Sequence, residues 1–351
     1  MRLCLITDAW HPQVNGVVRT LEQVTTNCRA RGHQVEIVSP DRFKTISCPN
    51  YPEIRLAIAP GSGLRCILEE FKPTAIHIAT EGPLGLAARR LCIQRPLPFT
   101  TSYHTRFPEY LAARFPIPAS WAWRAMRWFH RPSAGVMVAT ASMGRILADQ
   151  GFHNILYWSR GVDTECFRPS SSRALNLPRP VFLYVGRVAI EKNLRAFLSL
   201  DLPGTKLVVG DGPQLSELKS SFPNVVFAGK QQGEDLIRHY ASGDVFVFPS
   251  LTDTFGLVLL EALACGLPVA AYPVTGPRDV IAGTGVGILS HDLARAALDA
   301  LNIDARVCRR YAMKFSWESC TDKFIANLHP AHLRKPEFIE NSAPRLLPHT
   351  R

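Results

Sequence analysis

Asp253 and Glu261 stand with seven residues between them in the stretch Pro249 to Gly266. There an apolar run, Val245 to Phe248, gives way to a short polar turn and then to a helical segment that Gly266 ends. One carboxylate lies in the turn and the other inside the helix. A helix mouth offers unpaired backbone N–H groups and the positive end of a dipole to an anion. The carboxylates accept hydrogen bonds from hydroxyls. A ligand that carries phosphate beside several hydroxyls, as a nucleotide-sugar does, meets both. Glu261 has Leu259, Leu260, Leu263 and Ala264 around it, and a carboxylate in so apolar a run needs a partner. Asp253 has a plainer alternative use, because Asp in such a turn commonly caps the helix.

Two cations lie earlier in the same half. Arg187 and Lys192 follow the apolar run Val181 to Val185 and the glycine Gly186. Spaced five residues apart after a glycine, they suit a diphosphate whose charge grows as a glycosidic bond breaks. Electrostatic stabilisation of that kind is worth several kcal/mol in an enclosed site. The alternative is a pair of solvated cations at a strand end. Gly210-Asp-Gly-Pro and Gly229-Lys230 end the next two apolar runs, and turns of this composition are common.

The first half holds three more strand-end segments. His11 to Thr20 includes Asn15-Gly16, where the glycine lets backbone approach a phosphate. It is not a G-x-G-x-x-G, which argues against a dinucleotide cofactor. Thr101 to Arg106 includes Tyr103 and His104; a lone histidine is more often structural, yet this one falls at the end of an apolar run. Glu81-Gly-Pro-Leu-Gly85 follows a third run, where Glu81 either meets an acceptor or caps the next helix.

These residues need a scaffold that brings strand ends together. Strands are predicted at Leu3 to Thr7, Gln34 to Val38, Ala75 to Ala79, Phe99 to Ser102 and Gly135 to Ala139. Val17 to Arg31 has helical spacing, with Val17, Leu21, Val24 and Cys28 on one face. A second series follows at Val181 to Val185, Leu207 to Val209, Val225 to Phe227, Val245 to Phe248 and Val269 to Ala271. Alternating strands and helices imply parallel sheets with right-handed crossovers. The expected class is α/β, with two Rossmann-like domains facing each other across a cleft. The expected limits are residues 1–168 and 169–312, with a helix at 313–329 returning to the first domain. A basic, proline-rich tail, 330–351, is expected to be poorly ordered.

The opening stretch, taken with Arg187, Lys192 and the Gly210 turn, resembles the donor-binding motifs of retaining glycosyltransferase family 4, whose fold is called GT-B. The likeness runs from the first strand to the returning helix. It implies that Glu261 accepts hydrogen bonds from ribose hydroxyls and that Asp253 binds sugar hydroxyls. It implies that the backbone N–H groups of Phe255, Gly256 and Leu257 face sugar and phosphate, and that Arg187 and Lys192 hold the diphosphate. Gly16 would approach phosphate from the other domain, and Lys230 would lie where the base binds. His104 would stand beside the sugar and the reaction centre. Transfer would be metal-independent, with the acceptor attacking from the leaving-group side and the departing phosphate taking the proton. Most members carry Glu where this chain has Asp253. Thr-Asp-Thr-Phe-Gly occurs in a subset with glycoglycerolipid enzymes, sulfoquinovosyltransferases and mannosyltransferases. The first expectation is UDP-glucose or UDP-glucuronate as donor and a membrane lipid such as diacylglycerol as acceptor. The second is GDP-mannose-dependent α-mannosyl transfer to a glycolipid or lipid-linked glycan.

Composition sets the remaining bounds. The nine cysteines are scattered without a C-x-x-C pair, which predicts reduced thiols in a cytoplasmic protein. The apolar run Leu3 to Ile6 is too short for a signal peptide. A formal net charge of +11 calls for an anionic partner. Between Arg106 and Arg131 there are five arginines and one acidic residue, interleaved with seven aromatic rings. Trp121 and Trp128 fall on one helical face, with Arg124 and Arg127 beside them. That pattern fits an anionic membrane surface at the cytoplasmic side, a groove for acceptor tails, or a helix packed on its own domain. A basic nucleic-acid-binding module is the least favoured reading, since no recognised motif for it is present.

Overall fold

The structure is a computed structural model that describes residues 1–13, 15–48, 51–104, 106, 108 and 118–329, with the side chains of 51–53 left aside. Five expected strands of the first half appear within about one residue of their expected ends. They are β1 (Arg2–Ile6), β2 (Gln34–Val38), β5 (Ala75–Ile78), β6 (Thr100–Ser102) and β7 (Gly135–Val138). A hairpin, β3 (Thr45–Cys48) and β4 (Tyr51–Ala57), and an edge strand, β8 (Ile155–Tyr157), are additional. The first sheet has the order β2-β1-β5-β6-β7-β8, every pair parallel.

The second sheet comprises β9 (Val181–Val185), β10 (Thr205–Val209), β11 (Val226–Gly229), β12 (Val245–Phe248), β13 (Val269–Ala271) and β14 (Gly287–Leu289). Its order is β11-β10-β9-β12-β13-β14, again parallel throughout. In each sheet the strand order reverses beside the first strand, between β1 and β5 and between β9 and β12. Such switch points open a crevice at the strands' C-terminal ends, where ligands of open α/β sheets bind. The segments after β1, β9 and β12 are the ones that carry Gly16, Arg187 and Asp253.

Burial explains why the central strands were legible. Every residue of β9 and of β12 is buried, as expected for strands covered by helices on both faces. The helix Gly16–Ala30 starts where Asn15 accepts from the N–H groups of Val17 and Val18, each at 3.0 Å. It buries Leu21, Val24 and Cys28 against Leu3 and Leu5. The helix Trp317–Asn327 closes the same core with Trp317, Cys320 and Phe324. Arg31 and Asp322 bridge the two helices at 2.6 Å, so the chain's last described helix lies on the first sheet's side.

Candidate functional site

The Gly186 and Gly210 turns interlock at the end of the second sheet. Gly186 N–H donates to Val209 and Val188 N–H donates to the carbonyl of Asp211. A Cβ on Gly210 would lie 1.8 Å from the carbonyl oxygen of Gly186, so no side chain fits there. Gly210 thus holds the turn that presents Arg187. Tyr184 Oη donates to the carbonyl of Arg187 at 2.9 Å and fixes that turn from below.

Lys192 ends a single helical turn, Ile190–Lys192. Its ammonium lies 2.8 Å from both carboxylate oxygens of Asp253. Asn193, in the left-handed conformation at φ 54°, donates to the carbonyl of Pro249 at 3.1 Å and ties the two segments together. The helix Leu257–Ala264 starts at Gly256 with no side-chain cap. Asp253 is therefore spent on Lys192, and the capping alternative is not what it does. The mouth of this helix is left to backbone N–H groups, beside the buried ring of Phe255.

Glu261 is 5% exposed and has the partners its surroundings demand. Tyr240 Oη donates to one carboxylate oxygen at 2.8 Å, and Arg19 forms an ion pair with the other. Arg19 belongs to the helix of the first domain, so this pair crosses the cleft. Burial, with the charge of Glu261 second, holds the Tyr240 hydroxyl well above its ordinary pKa, which keeps it a donor. Gly16 closes the same junction: a Cβ there would come within 3.5 Å of Leu257. A cavity of about 240 Å³ opens beside the pair, lined by Arg19, Asp163, Phe167, Leu236, Leu257 and Glu261 among others.

His104 joins the cluster from the opposite edge. Thr254, next to Asp253, donates from Oγ1 to the carbonyl of His104 at 2.9 Å across the domain seam. Arg106 donates to Thr275 at 3.0 Å, a second link between the domains. His104 is held well below the ordinary imidazole pKa by burial, and then by the charge of Arg160. Gly16, Lys192, Asp253, Leu257, Glu261 and His104 thus converge where the two sheets face each other. Arg187 is half-buried at the end of β9, and Lys230 is exposed at the end of β11.

The residues expected on the acceptor side do not join that cluster. Tyr103 is fully buried and stacks on Trp123, with ring centroids 6.2 Å apart. The Glu81 carboxylate is almost wholly buried and lies 3.2 Å from His130 Nε2. It does not cap the helix Pro83–Gln94 either. Asp8 does, accepting from the N–H groups of Leu84 at 2.9 Å and Gly85 at 3.2 Å. On the helix Ala119–His130, Trp121 and Trp128 are 70% and 55% exposed, and Arg124 is exposed too. Arg127 instead turns inward and donates to the carbonyl of Gln150 at 3.0 Å.

Sequence reading passed over Arg19, Tyr240, Thr254 and Arg160. Arg19 lies within the strand-to-helix segment singled out around Gly16, but its partner is 242 residues away and left no local signal. Tyr240 carried none, because its contact spans two elements.

Residues 14–166 match the family described as Glycosyltransferase Family 4, and residues 179–302 match the one described as Glycosyl transferases group 1. The chain is 31% identical to a GDP-mannose-dependent alpha-mannosyltransferase of Mycobacterium tuberculosis, with 95% of this chain and 98% of the relative covered. This chain belongs to glycosyltransferase family 4. It is also 26% identical to the alpha-monoglucosyldiacylglycerol synthase of Streptococcus pneumoniae, over 95% of this chain and 86% of that protein. In fold, this family 4 glycosyltransferase matches the sucrose-phosphate synthase of Thermosynechococcus elongatus with a TM-score of 0.78 at 20% identity. That match covers 93% of this chain and 97% of the other, and the two-sheet fold is the GT-B fold. Among the described residues no helix is long and apolar enough to cross a membrane.

Proposed function

We propose that this glycosyltransferase moves a hexosyl group from a nucleotide-sugar to a lipid-borne acceptor, with retention of configuration and without a metal ion. The observation that carries the reading is three contacts at the cleft: His104 to Thr254 and Arg19 to Glu261 cross it, and Lys192 to Asp253 lies on the second domain's side. Lys192 and Arg187 take the diphosphate and offset the charge that grows on it as the glycosidic bond breaks. Glu261 takes the ribose hydroxyls, and the cavity beside it receives the nucleoside. The N–H groups of Phe255, Gly256 and Leu257 face the phosphate and sugar, and Asp253, bridged to Lys192, takes sugar hydroxyls. The acceptor hydroxyl approaches from the leaving-group side, and the departing phosphate takes its proton. The protein's work is then positioning and charge stabilisation.

The sequence puts UDP-glucose or UDP-glucuronate first. The relative spanning 98% of its own length uses GDP-mannose by name, and on that ground GDP-mannose takes first place for this chain. A glucosyl donor is the second reading, favoured by the diacylglycerol-glycolipid synthase relative. The glycolipid made by the diacylglycerol-glycolipid synthase relative fits an enzyme that works at a membrane surface, here on the cytoplasmic side. The exposed pair Trp121 and Trp128, with Arg89 packed 3.8 Å over the Trp128 ring and Arg124 alongside, supports that docking. Incubation with labelled GDP-mannose or UDP-hexoses and membrane lipid extract, followed by analysis of the lipid products, tests the reading.

A further inference from the structure

Arg160 is a buried cation that the donor site as described does not use. It follows β8, is 5% exposed, and among the described residues has no carboxylate at ion-pair distance. Four contacts fix it. Nη1 donates to the carbonyls of Trp158 at 2.6 Å and Ser159 at 3.3 Å, the guanidinium lies 4.5 Å over the Trp158 ring, and Nη2 lies 3.1 Å from Nδ1 of His104. A guanidinium only donates, so Nδ1 must accept. An imidazole whose Nδ1 accepts carries its proton on Nε2. A positive charge on that ring would face Arg160 at 3.1 Å, with no carboxylate paired to either among the described residues.

The other titratable groups around His104 act in the same direction. His77 and His130 face it from β5 and from the helix Ala119–His130; like Arg160, each would oppose its protonation when it carries a proton of its own, and His77 stays neutral down to about pH 3. The Trp158 ring packs edge-on against the imidazole at 5.7 Å. Among the described residues Nε2 is buried and has no hydrogen-bond partner. The carbonyl of the same residue receives Thr254, one residue from Asp253. A buried N–H without a partner is costly unless something arrives to accept from it.

We propose that Arg160 is the positioning residue that locks His104 as a neutral imidazole with its proton on Nε2, making His104 a hydrogen-bond donor to an oxygen of the bound sugar or leaving phosphate. The lock denies His104 the role of a base, because its lone pair is spent on Arg160. This use of His104 rests on the donor-site reading above; the lock does not.

Long-range proton–nitrogen NMR of the full chain labelled in its histidines reads the lock directly, with His104→Gln identifying the signals. The wild-type His104 should show the neutral Nε2–H pattern from about pH 7 down to about pH 5. An Nδ1–H pattern, or an imidazolium in that range, overturns the proposal. In Arg160→Met the ring should become a mixture of tautomers and titrate closer to the ordinary range. Arg160→Gln, whose amide still donates, should restore the Nε2–H form. His104 signals unchanged in both variants overturn the lock. Where Arg160→Met does not fold, the wild-type pattern and Arg160→Gln decide. Turnover separates the two layers: kcat should fall about tenfold in Arg160→Met, one hydrogen bond's worth, with donor KM within about twofold. Shifted NMR signals with an undiminished kcat would keep the lock and overturn the placement of His104 at the reaction centre.

Discussion

The ammonium of Lys192 stands 2.8 Å from each carboxylate oxygen of Asp253, so the cation after β9 and the acid after β12 form one bridged unit. The two segments flank the switch point of the second sheet, and the pair spans it. With side chains only about a fifth exposed, the bridge is partly withdrawn from water and less screened than a surface pair. In the proposed site a diphosphate would share Lys192 with Asp253, and the carboxylate would be released toward the sugar.

Lys192→Ala should lower kcat/KM by about a hundredfold or more, the scale of losing one preorganised charge contact at a transition state. Lys192→Arg should recover part of it. Steady-state kinetics with a saturating acceptor checks this; a Lys192→Ala enzyme with unaltered kcat/KM removes the diphosphate role.

Glu261→Gln should raise donor KM more than it lowers kcat, because ribose is held alike in ground state and transition state. The substitution also strips Arg19 of its cross-cleft partner. Arg19→Met, which leaves Glu261 and Tyr240 in contact, should perturb the donor less than Glu261→Gln does. Calorimetric titration of each variant with the nucleoside diphosphate gives the ranking, and the reverse order would count against Glu261 as the ribose ligand.

His77 supplies a pH prediction apart from catalysis. Its two ring nitrogens lie 2.8 Å from Thr100 Oγ1 and 2.8 Å from Ser102 Oγ, and burial, then the charge of Arg160, pushes its pKa down to about 3. The unfolded value is about 6.5. Between those values the unfolded chain binds a proton that the folded chain refuses. Stability therefore rises with pH across that window and is lost as pH falls through it, by up to about 1.4 kcal/mol per pH unit from this group. His104, also held low, adds in the same direction. Urea unfolding at several pH values between about 4.5 and 7 measures the slope. His77→Gln should flatten it; an unchanged slope would assign the acid sensitivity elsewhere.

Much of the fold was legible because the central strands are buried on both faces and read as plain apolar runs, as in Val-Phe-Leu-Tyr-Val of β9. The strands that escaped were the short edges β8 and β14 and the separate hairpin β3–β4. β14 is three half-buried residues starting with Gly287, where a Cβ would meet the carbonyl of Val269 at 2.5 Å. That constraint comes from the neighbouring strand and leaves no periodic signal. Within the site, Asp253 and Lys192 stood out as charges that follow apolar runs, and Glu261 as a charge inside one. Arg19, Tyr240 and Arg160 act through partners 242, 21 and 56 residues away, which no local pattern encodes. Arg127 shows the opposite failure: helical spacing put it beside Trp128, but its side chain satisfies the carbonyl of Gln150 inside the domain.

Membrane docking should depend on the outward face of the helix Ala119–His130. Trp121→Ala with Trp128→Ala should weaken sedimentation with vesicles rich in anionic lipid about tenfold or more, given the apolar area each ring contributes. Arg124→Glu should weaken it further at low salt and little at high salt. Wild-type protein that fails to sediment with such vesicles at low salt would overturn the docking proposal.

The most direct measurement is product analysis after incubating the purified protein with labelled GDP-mannose, UDP-glucose and UDP-glucuronate in turn, each with membrane lipid extract and a chelator. The account predicts transfer of label from one donor into the lipid fraction, as the α-anomer, undiminished by the chelator and cut about a hundredfold or more in Lys192→Ala. Label that stays in nucleotide-sugar with every donor, or a β-linked product, would contradict it.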